Sequence, residues 1–177
     1  SFAQRRRSLL AIEDMSYRLD AGKTLAMVGE SGSGKTVSCR ALINLLPPTA
    51  SISGSARFEG NELIGMPERE IQRYRGSKIS MVFQHSGKAL NPTMKVGHQI
   101  SETIRQHQRT SFLEARARTI ELLAALRFTT PSATYEHHAH ELSGGMQQRI
   151  LIAAAIAARP RLLIVDEATN SLDSSTQ

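Results

Sequence analysis

Short apolar runs alternate with amphipathic segments along this chain, predicting an α/β fold on a mostly parallel central sheet with an antiparallel portion and a helical insert. Three observations carry that reading. "TLAMVG" (24–29) and "LLIV" (162–165) have the length and composition of buried strands, the second apolar enough for a central parallel strand covered on both faces. A glycine-rich stretch, "GESGSGKT" (29–36), leads from the first of these into a helical pattern. After residue 85 helical patterns dominate, so a core of about 1–85 and 146–177 is interrupted by an insert of about 86–145.

Taken in order, "LLAIEDMSYRL" (9–19) reads as strand, followed by a turn at Ala21-Gly22-Lys23 and the strand 24–29. Lys35 to Leu46 has helical spacing and stops at Pro47-Pro48. "GSARFEGNEL" (54–63) alternates like a surface strand around a Gly60-Asn61 turn. "PEREIQRYR" (67–75) opens with proline and acidic residues, which favours a short helix. "KISMVFQ" (78–84) is a further buried strand. Residues 95–108 and 111–128 are helical, the second with Leu113, Ile120, Leu123 and Leu126 to one side. "TPSATYEHHAHE" (130–141) reads as a polar connection, and a helix from about Gly145 to Ala158 ends before Pro160.

Composition narrows the function classes. Of 177 residues, 40% are hydrophobic, enough for a sizeable core. No run approaches the ~18 apolar residues of a membrane span. The start, with Arg5–Arg7, lacks the layout of a signal peptide. The single cysteine, Cys39, excludes an internal disulfide and reads as a small buried hydrophobe in a reducing compartment. A net charge of +6 invites a nucleic-acid partner. The charges are scattered and not interleaved with aromatic residues, so no nucleic acid is expected.

"GESGSGKT" fits G-x-x-x-x-G-K-[ST] at every fixed position and sits between a predicted strand and a predicted helix. Gly29, Gly32 and Gly34 let the main chain curl around phosphate oxygens with its N–H groups inward. Lys35 supplies a cation for the β- and γ-phosphates, and the Thr36 hydroxyl suits Mg²⁺. The pattern predicts binding of a nucleoside triphosphate. "LLIVDEA" (162–168) puts Asp166 and Glu167 at the C-terminal end of a strand, where ligands of open α/β sheets collect. Asp166 is assigned to the Mg²⁺ shell, through water, and Glu167 to positioning or deprotonating the attacking water. "ELSGGMQQRI" (141–150) places a Ser-Gly-Gly cap before an apolar helix, and so presents bare amides suited to an anion. Read alone, it is equally an ordinary glycine-rich helix start.

"GESGSGKT", then "MVFQ" (81–84), "LSGGMQQR" (142–149) and "LLIVDE", in this order and spacing, resemble the ATP-binding cassette (ABC) ATPases. "LNPTMKVGHQI" (90–100) and 140–173 are similar to ATP-binding subunits of bacterial dipeptide and oligopeptide importers. The resemblance implies a P-loop NTPase core of RecA-like type. It also implies a site in which Gly29, Glu30, Ser31, Gly32, Ser33, Gly34, Lys35, Thr36 and Val37 hold ATP. Thr36, Gln84 and Asp166 would attend Mg²⁺, and Gln84 and Glu167 would be catalytic. Ser143, Gly144 and Gly145 would cap the γ-phosphate on a second ATPase subunit, identical or related, which Asp173 of "NSLD" (170–173) would help contact. The implied function is ATP-driven uptake of peptides or a similar small solute, with transmembrane permease subunits and a solute-binding protein as partners, at the cytoplasmic face of the inner membrane. The alternatives are a soluble ABC-type ATPase acting on nucleic acid or ribosomes, and a non-hydrolysing ATP-binding fragment.

Three departures from the family pattern bear on these expectations. Met146 replaces the glutamine most common at the end of the family's signature, which "LSGGMQQR" resembles, although methionine is usual among peptide importers, and Ala168 replaces a proline. No histidine follows the acidic pair, although the family carries a switch histidine there; the expectation is a C-terminally incomplete chain that binds ATP but hydrolyses it weakly. His137, His138 and His140 are close enough for a metal cluster, with a solvated loop as the favoured reading. Phe2 is either an adenine platform or a core strand residue.

Overall fold

The computed structural model describes residues 2–4, 7–83 and 89–166. The chain divides into two compact units, Ser1–Gln72 and Arg73–Gln177.

The first unit is mostly irregular. Strands β1 (Phe2–Gln4) and β2 (Arg7–Leu9) pair antiparallel. Helix α1 (Lys35–Leu42) follows the glycine-rich stretch. A hairpin of β3 (Arg57–Phe58) and β4 (Asn61–Glu62) supplies an antiparallel portion, and α2 (Glu68–Ile71) is a single turn. Ile71, Ile43, Leu63 and Cys39 are among its buried apolar side chains.

Three expectations for this unit are corrected. Residues 10–20 and 24–29 are not strands. A strand exists through a paired ladder, and neither stretch has one among the described residues. The carbonyls of Gly29 and Glu30 accept instead from the Lys35 ammonium, at 2.7 and 2.8 Å, and Val28 is 95% exposed. Helix α1 stops four residues before Leu46 because Asn44 takes a left-handed φ of 51°. The amides of Asn44 and Leu45 then close back on the carbonyls of Ala41 and Arg40, a Schellman ending. The hairpin turns at Glu59-Gly60, one residue early, since the two positive φ angles of its tight turn fall there (50° and 82°).

The second unit holds the larger core. Helices α3 (Val96–His107), α4 (Phe112–Ala125), α5 (Pro131–Glu136) and α6 (Gly144–Ala157) surround one apolar cluster including Val96, Ile100, Leu123, Tyr135 and Ile150. Strands β5 (Ile79–Val82) and β6 (Leu162–Val165) pair in parallel, Ile79 opposite Leu162 and Val82 opposite Val165. From Ile150 onward helix α6 is apolar all round, because both of its faces are used. Ile150, Ala153 and Ala157 join the helical cluster, while Ala155 and Ile152 pack with Val82 of β5.

Two expectations change here. Strand β6 is covered on one face only among the described residues: Ile164 is buried, whereas Leu163 and Val165 are 38% and 50% exposed. The polar connection 130–141 contains α5, begun by Pro131 at its first position, and a 3₁₀ turn at Ala139–Glu141. Its anchor is Tyr135, fully buried, whose hydroxyl shares a hydrogen-bond chain with Ser101 (3.1 Å) and, through Ser101, with Thr119 (3.0 Å).

Helix α4 starts at a reciprocal cap. The Ser111 hydroxyl accepts from the Glu114 amide, while the Ser111 amide donates to the Glu114 carboxylate. That amide, with the Thr110 and Ser111 hydroxyls, holds the Glu114 carboxyl below the usual carboxylate range. Ser111→Ala is expected to lower stability by about 1 kcal/mol near neutral pH. A carboxylate with a depressed folded pKa contributes stability above its unfolded value and loses it as pH falls through the folded one. The deficit of the variant should therefore narrow on acidification below about pH 4, as urea titrations at several pH values would reveal.

Candidate nucleotide site

The glycine-rich stretch is a closed loop ahead of α1. The Ser33 amide donates to the Glu30 carbonyl at 3.2 Å, and Gly32 and Gly34 take left-handed φ angles of 82° and 92°. Glycine is needed at 34 for a second reason: a Cβ there would lie 2.7 Å from Cγ1 of Ile12 and 3.2 Å from the Ala11 carbonyl oxygen. At Gly32 a side chain would meet nothing within 4 Å, so the left-handed backbone alone selects glycine. The Lys35 ammonium reaches back over the loop to the carbonyls of Gly29 and Glu30, and to the Ser33 hydroxyl at 3.3 Å. Ser38 closes the first turn of α1 twice, its amide donating to Gly34 O and its hydroxyl to Lys35 O. Glu30, Ser31 and Ser33 are exposed; Thr36 and Val37 are half-buried at the head of α1.

This donor set fits a polyphosphate. Left-handed glycines, a helix start without a side-chain cap and an ammonium folded onto the loop gather hydrogen-bond donors and positive charge at one exposed place. Lys35 would meet phosphate oxygens, and the Thr36 hydroxyl has the chemistry to ligate Mg²⁺.

In the second unit, Asp166 directly follows β6 and is buried at 8% exposure, its amide continuing the parallel ladder to the Val82 carbonyl at 3.0 Å. A buried carboxylate at the C-terminal end of a parallel strand suits a divalent cation. Ser143 caps α6 from an extended conformation, and its hydroxyl accepts from the Met146 amide at 3.3 Å. Ser143 and Gly144 are exposed and Gly145 half-buried, with open space around the Gly144 Cα. A helix leaves its first amides without an intrahelical acceptor, so those of Gly144 and Gly145 would be available to an anion.

Thus Gly29 to Val37 are gathered in one unit, and Asp166 and Ser143 to Gly145 stand in the other. Gln84, Glu167 and the 170–173 stretch with Asp173 lie outside the described residues, as does the Phe2 side chain. His137 and His138 lie between α5 and the 3₁₀ turn, and His140 lies within that turn. The His138 and His140 rings stack at 5.6 Å, the His138 amide and ring address Glu141, and among the described residues no group of three metal-ligating side chains converges. Reading the sequence missed Ile12, which packs where a Cβ on Gly34 would be, and Gln147, whose side chain fastens the signature helix. A polar residue four positions after the Ser143 cap was the available sign.

Comparison with known proteins follows the same residues. The ABC transporter family model matches residues 12–170. The chain belongs to that family. It is 46% identical over 169 residues to the oligopeptide transport ATP-binding protein OppD of Bacillus subtilis, covering 94% of this chain and 47% of that protein. It is 42% identical over 177 residues to OppD of Salmonella typhimurium, covering 100% and 53%. The chain therefore spans about half the length of the curated relatives it matches. Among solved structures, the dimeric post-hydrolysis state of the ATP-binding cassette MJ0796 bound to ADP and Pi superposes with a TM-score of 0.83 at 28% identity, over 94% of this chain and 69% of that one. The parallel β5–β6 pair, the antiparallel hairpin and the helices of the second unit are this family's α/β P-loop fold.

Proposed function

We propose that this chain is the nucleotide-binding part of an ABC importer subunit that couples ATP binding and hydrolysis to the uptake of peptides or a similar small solute. The observation that carries the reading is the Lys35 ammonium folded onto Gly29, Glu30 and Ser33 within a loop of left-handed glycines. The resemblance to the OppD proteins supports the peptide class, and the dimeric ADP-bound relative supports a two-copy assembly. Partners would be a second ATPase subunit, membrane permease subunits and, through them, a solute-binding protein, at the cytoplasmic face of the membrane. Among the described residues no helix is long and apolar enough to cross a bilayer, which fits a peripheral seat.

In this reading the loop amides and Lys35 bind the β- and γ-phosphates, and Val37 continues the helix behind them. Thr36, Asp166 and Gln84 are the residues that would attend magnesium, and the ion would neutralise charge on the phosphate oxygens. Glu167 orients the water and accepts its proton. Ser143, Gly144 and Gly145 of a second copy cover the terminal phosphate, so the site is complete only between copies. The helical insert over 86–145 is the part that answers to the membrane subunits.

Glu167→Gln is expected to keep ATP affinity and stop turnover, so that ATP traps a dimer visible by sedimentation. Adding Ser143→Arg should remove that dimer, since the larger cation fills the place of the cap. ATP-dependent dimers that persist in the doubly substituted chain would contradict the composite site. Co-purification with nucleic acid instead of permease subunits would contradict the importer assignment.

A further inference from the structure

Between the turn Ala139–Glu141 and the start of α6 the chain crosses only Leu142 and Ser143, both extended (φ −109°, ψ 143° and φ −63°, ψ 161°). Leu142 is buried and Ser143 exposed, so this two-residue bridge decides how far the Ser143 cap stands out from the core. Nothing in a pair of extended residues fixes that height by itself. The bridge is bracketed by one side chain. Nε2 of Gln147 donates to the carbonyl of Ala139 at 2.8 Å and to the carbonyl of Leu142 at 3.0 Å, using both of its hydrogens. The backbone amide of the same residue donates to the Ser143 carbonyl at 2.9 Å, closing the first turn of α6. Gln147 thereby holds both sides of the cap.

What precedes the bridge is itself fixed. The His137 carbonyl accepts from the Val96 amide at the head of α3 at 2.8 Å. The His138 amide donates to the Glu141 carboxylate at 2.5 Å, and the Ala139 and Leu142 side chains enter the helical core. The turn is therefore a firm base, and Gln147 transmits its position to Ser143 and the first amides of α6.

On the reading that this cap meets nucleotide held by a second copy, we infer that Gln147 is a positioning residue for the composite site: it sets the height and direction of the Ser143–Gly145 cap without touching nucleotide. The side chain acts through two main-chain carbonyls, so a residue with donors of similar reach can stand in for it, and an isosteric residue without donors cannot.

The test compares Gln147→Met, which keeps length and loses both donors, with Gln147→Lys, whose ammonium can donate to both carbonyls. Amide hydrogen exchange of the nucleotide-free chain reads the bracket directly. In Gln147→Met the bonded amides around the cap, those of Leu142, Met146 and Gln147, are expected to exchange about tenfold faster, the magnitude of a lost hydrogen bond, while those of α3 and α4 stay unchanged. Gln147→Lys should restore slow exchange. Unchanged exchange in Gln147→Met would overturn the assignment, as would a general loss of protection that marks a merely structural residue.

ATP-dependent self-association in the Glu167→Gln background supplies the functional arm. Gln147→Met is expected to weaken association about tenfold with ATP affinity of the separated copies unchanged, and Gln147→Lys to recover it. Faster local exchange with undiminished association would overturn the positioning role. If the parent chain binds ATP and does not associate at all, the two-copy reading fails instead, and with it this role for Gln147, whatever the exchange result says of the bracket.

Discussion

Lys35→Ala is expected to lower the affinity of the chain for magnesium ATP by at least about 100-fold. One charge-assisted hydrogen bond contributes about 1.5–3 kcal/mol, each 1.4 kcal/mol is a factor of about ten in affinity, and the lysine would contact two phosphate groups. The side chain has a second task, because its ammonium also joins the carbonyls of Gly29 and Glu30 to the Ser33 hydroxyl. Removing it therefore subtracts the cation and loosens the curl that aims the amides. Lys35→Arg separates these effects: it keeps the charge but replaces a compact ammonium by a broad planar fork, and should bind more weakly than the parent and more tightly than Lys35→Ala. Equilibrium titration with a fluorescent ATP analogue measures all three, and an unchanged affinity in Lys35→Ala would refute the loop assignment.

Gly97→Ala is expected to have the largest effect on stability. A Cβ at Gly97 would lie 2.2 Å from Cγ and Cδ2 of Tyr135 and 2.6 Å from the Tyr135 carbonyl oxygen. Neither neighbour can move cheaply. The ring is fully buried and its hydroxyl tied to Ser101, while the carbonyl belongs to the main chain of α5. Overpacking of this kind costs about 1–3 kcal/mol and sometimes more, and with backbone involved the upper end, about 3 kcal/mol, is the expectation. Urea unfolding measures it. Gly144→Ala is the contrast, because no heavy atom comes within 4 Å of the added methyl and its stability should match the parent. Combining Gly97→Ala with Tyr135→Leu should destabilise less than the sum of the two, since the smaller side chain relieves the clash.

The α/β class, the strands over 79–82 and 162–165 and helices α3, α4 and α6 could be read from apolar period and strand-length runs, whereas the partner of each strand could not. Helix ends were less legible for a specific reason. Helices α1, α4 and α6 are each followed by a left-handed residue that is not glycine: Asn44, Arg127 and Arg159, at φ 51°, 59° and 56°. A glycine stop signal was absent where α1 and α4 were read too long. Helix α5 was hidden because its six residues carry one large apolar group, Tyr135, and its partner is a glycine, Gly97, which contributes no hydrophobic signal. The stretch 24–29 shows the opposite failure. Its apolar composition is that of a strand, but pairing depends on a neighbour that local sequence does not specify. At the site, glycine spacing made the loop visible, whereas the contact of Ile12 with Gly34 and the reach of Gln147 are tertiary facts that no spacing rule encodes.

Backbone amide chemical shifts recorded during titration with ATP and magnesium test the central claim most directly, because they report main-chain donors one by one. The account predicts that the amides of 30–36 move together and saturate at one affinity, and that Lys35→Ala abolishes the movement. Saturable ATP binding that leaves those amides unshifted would contradict it.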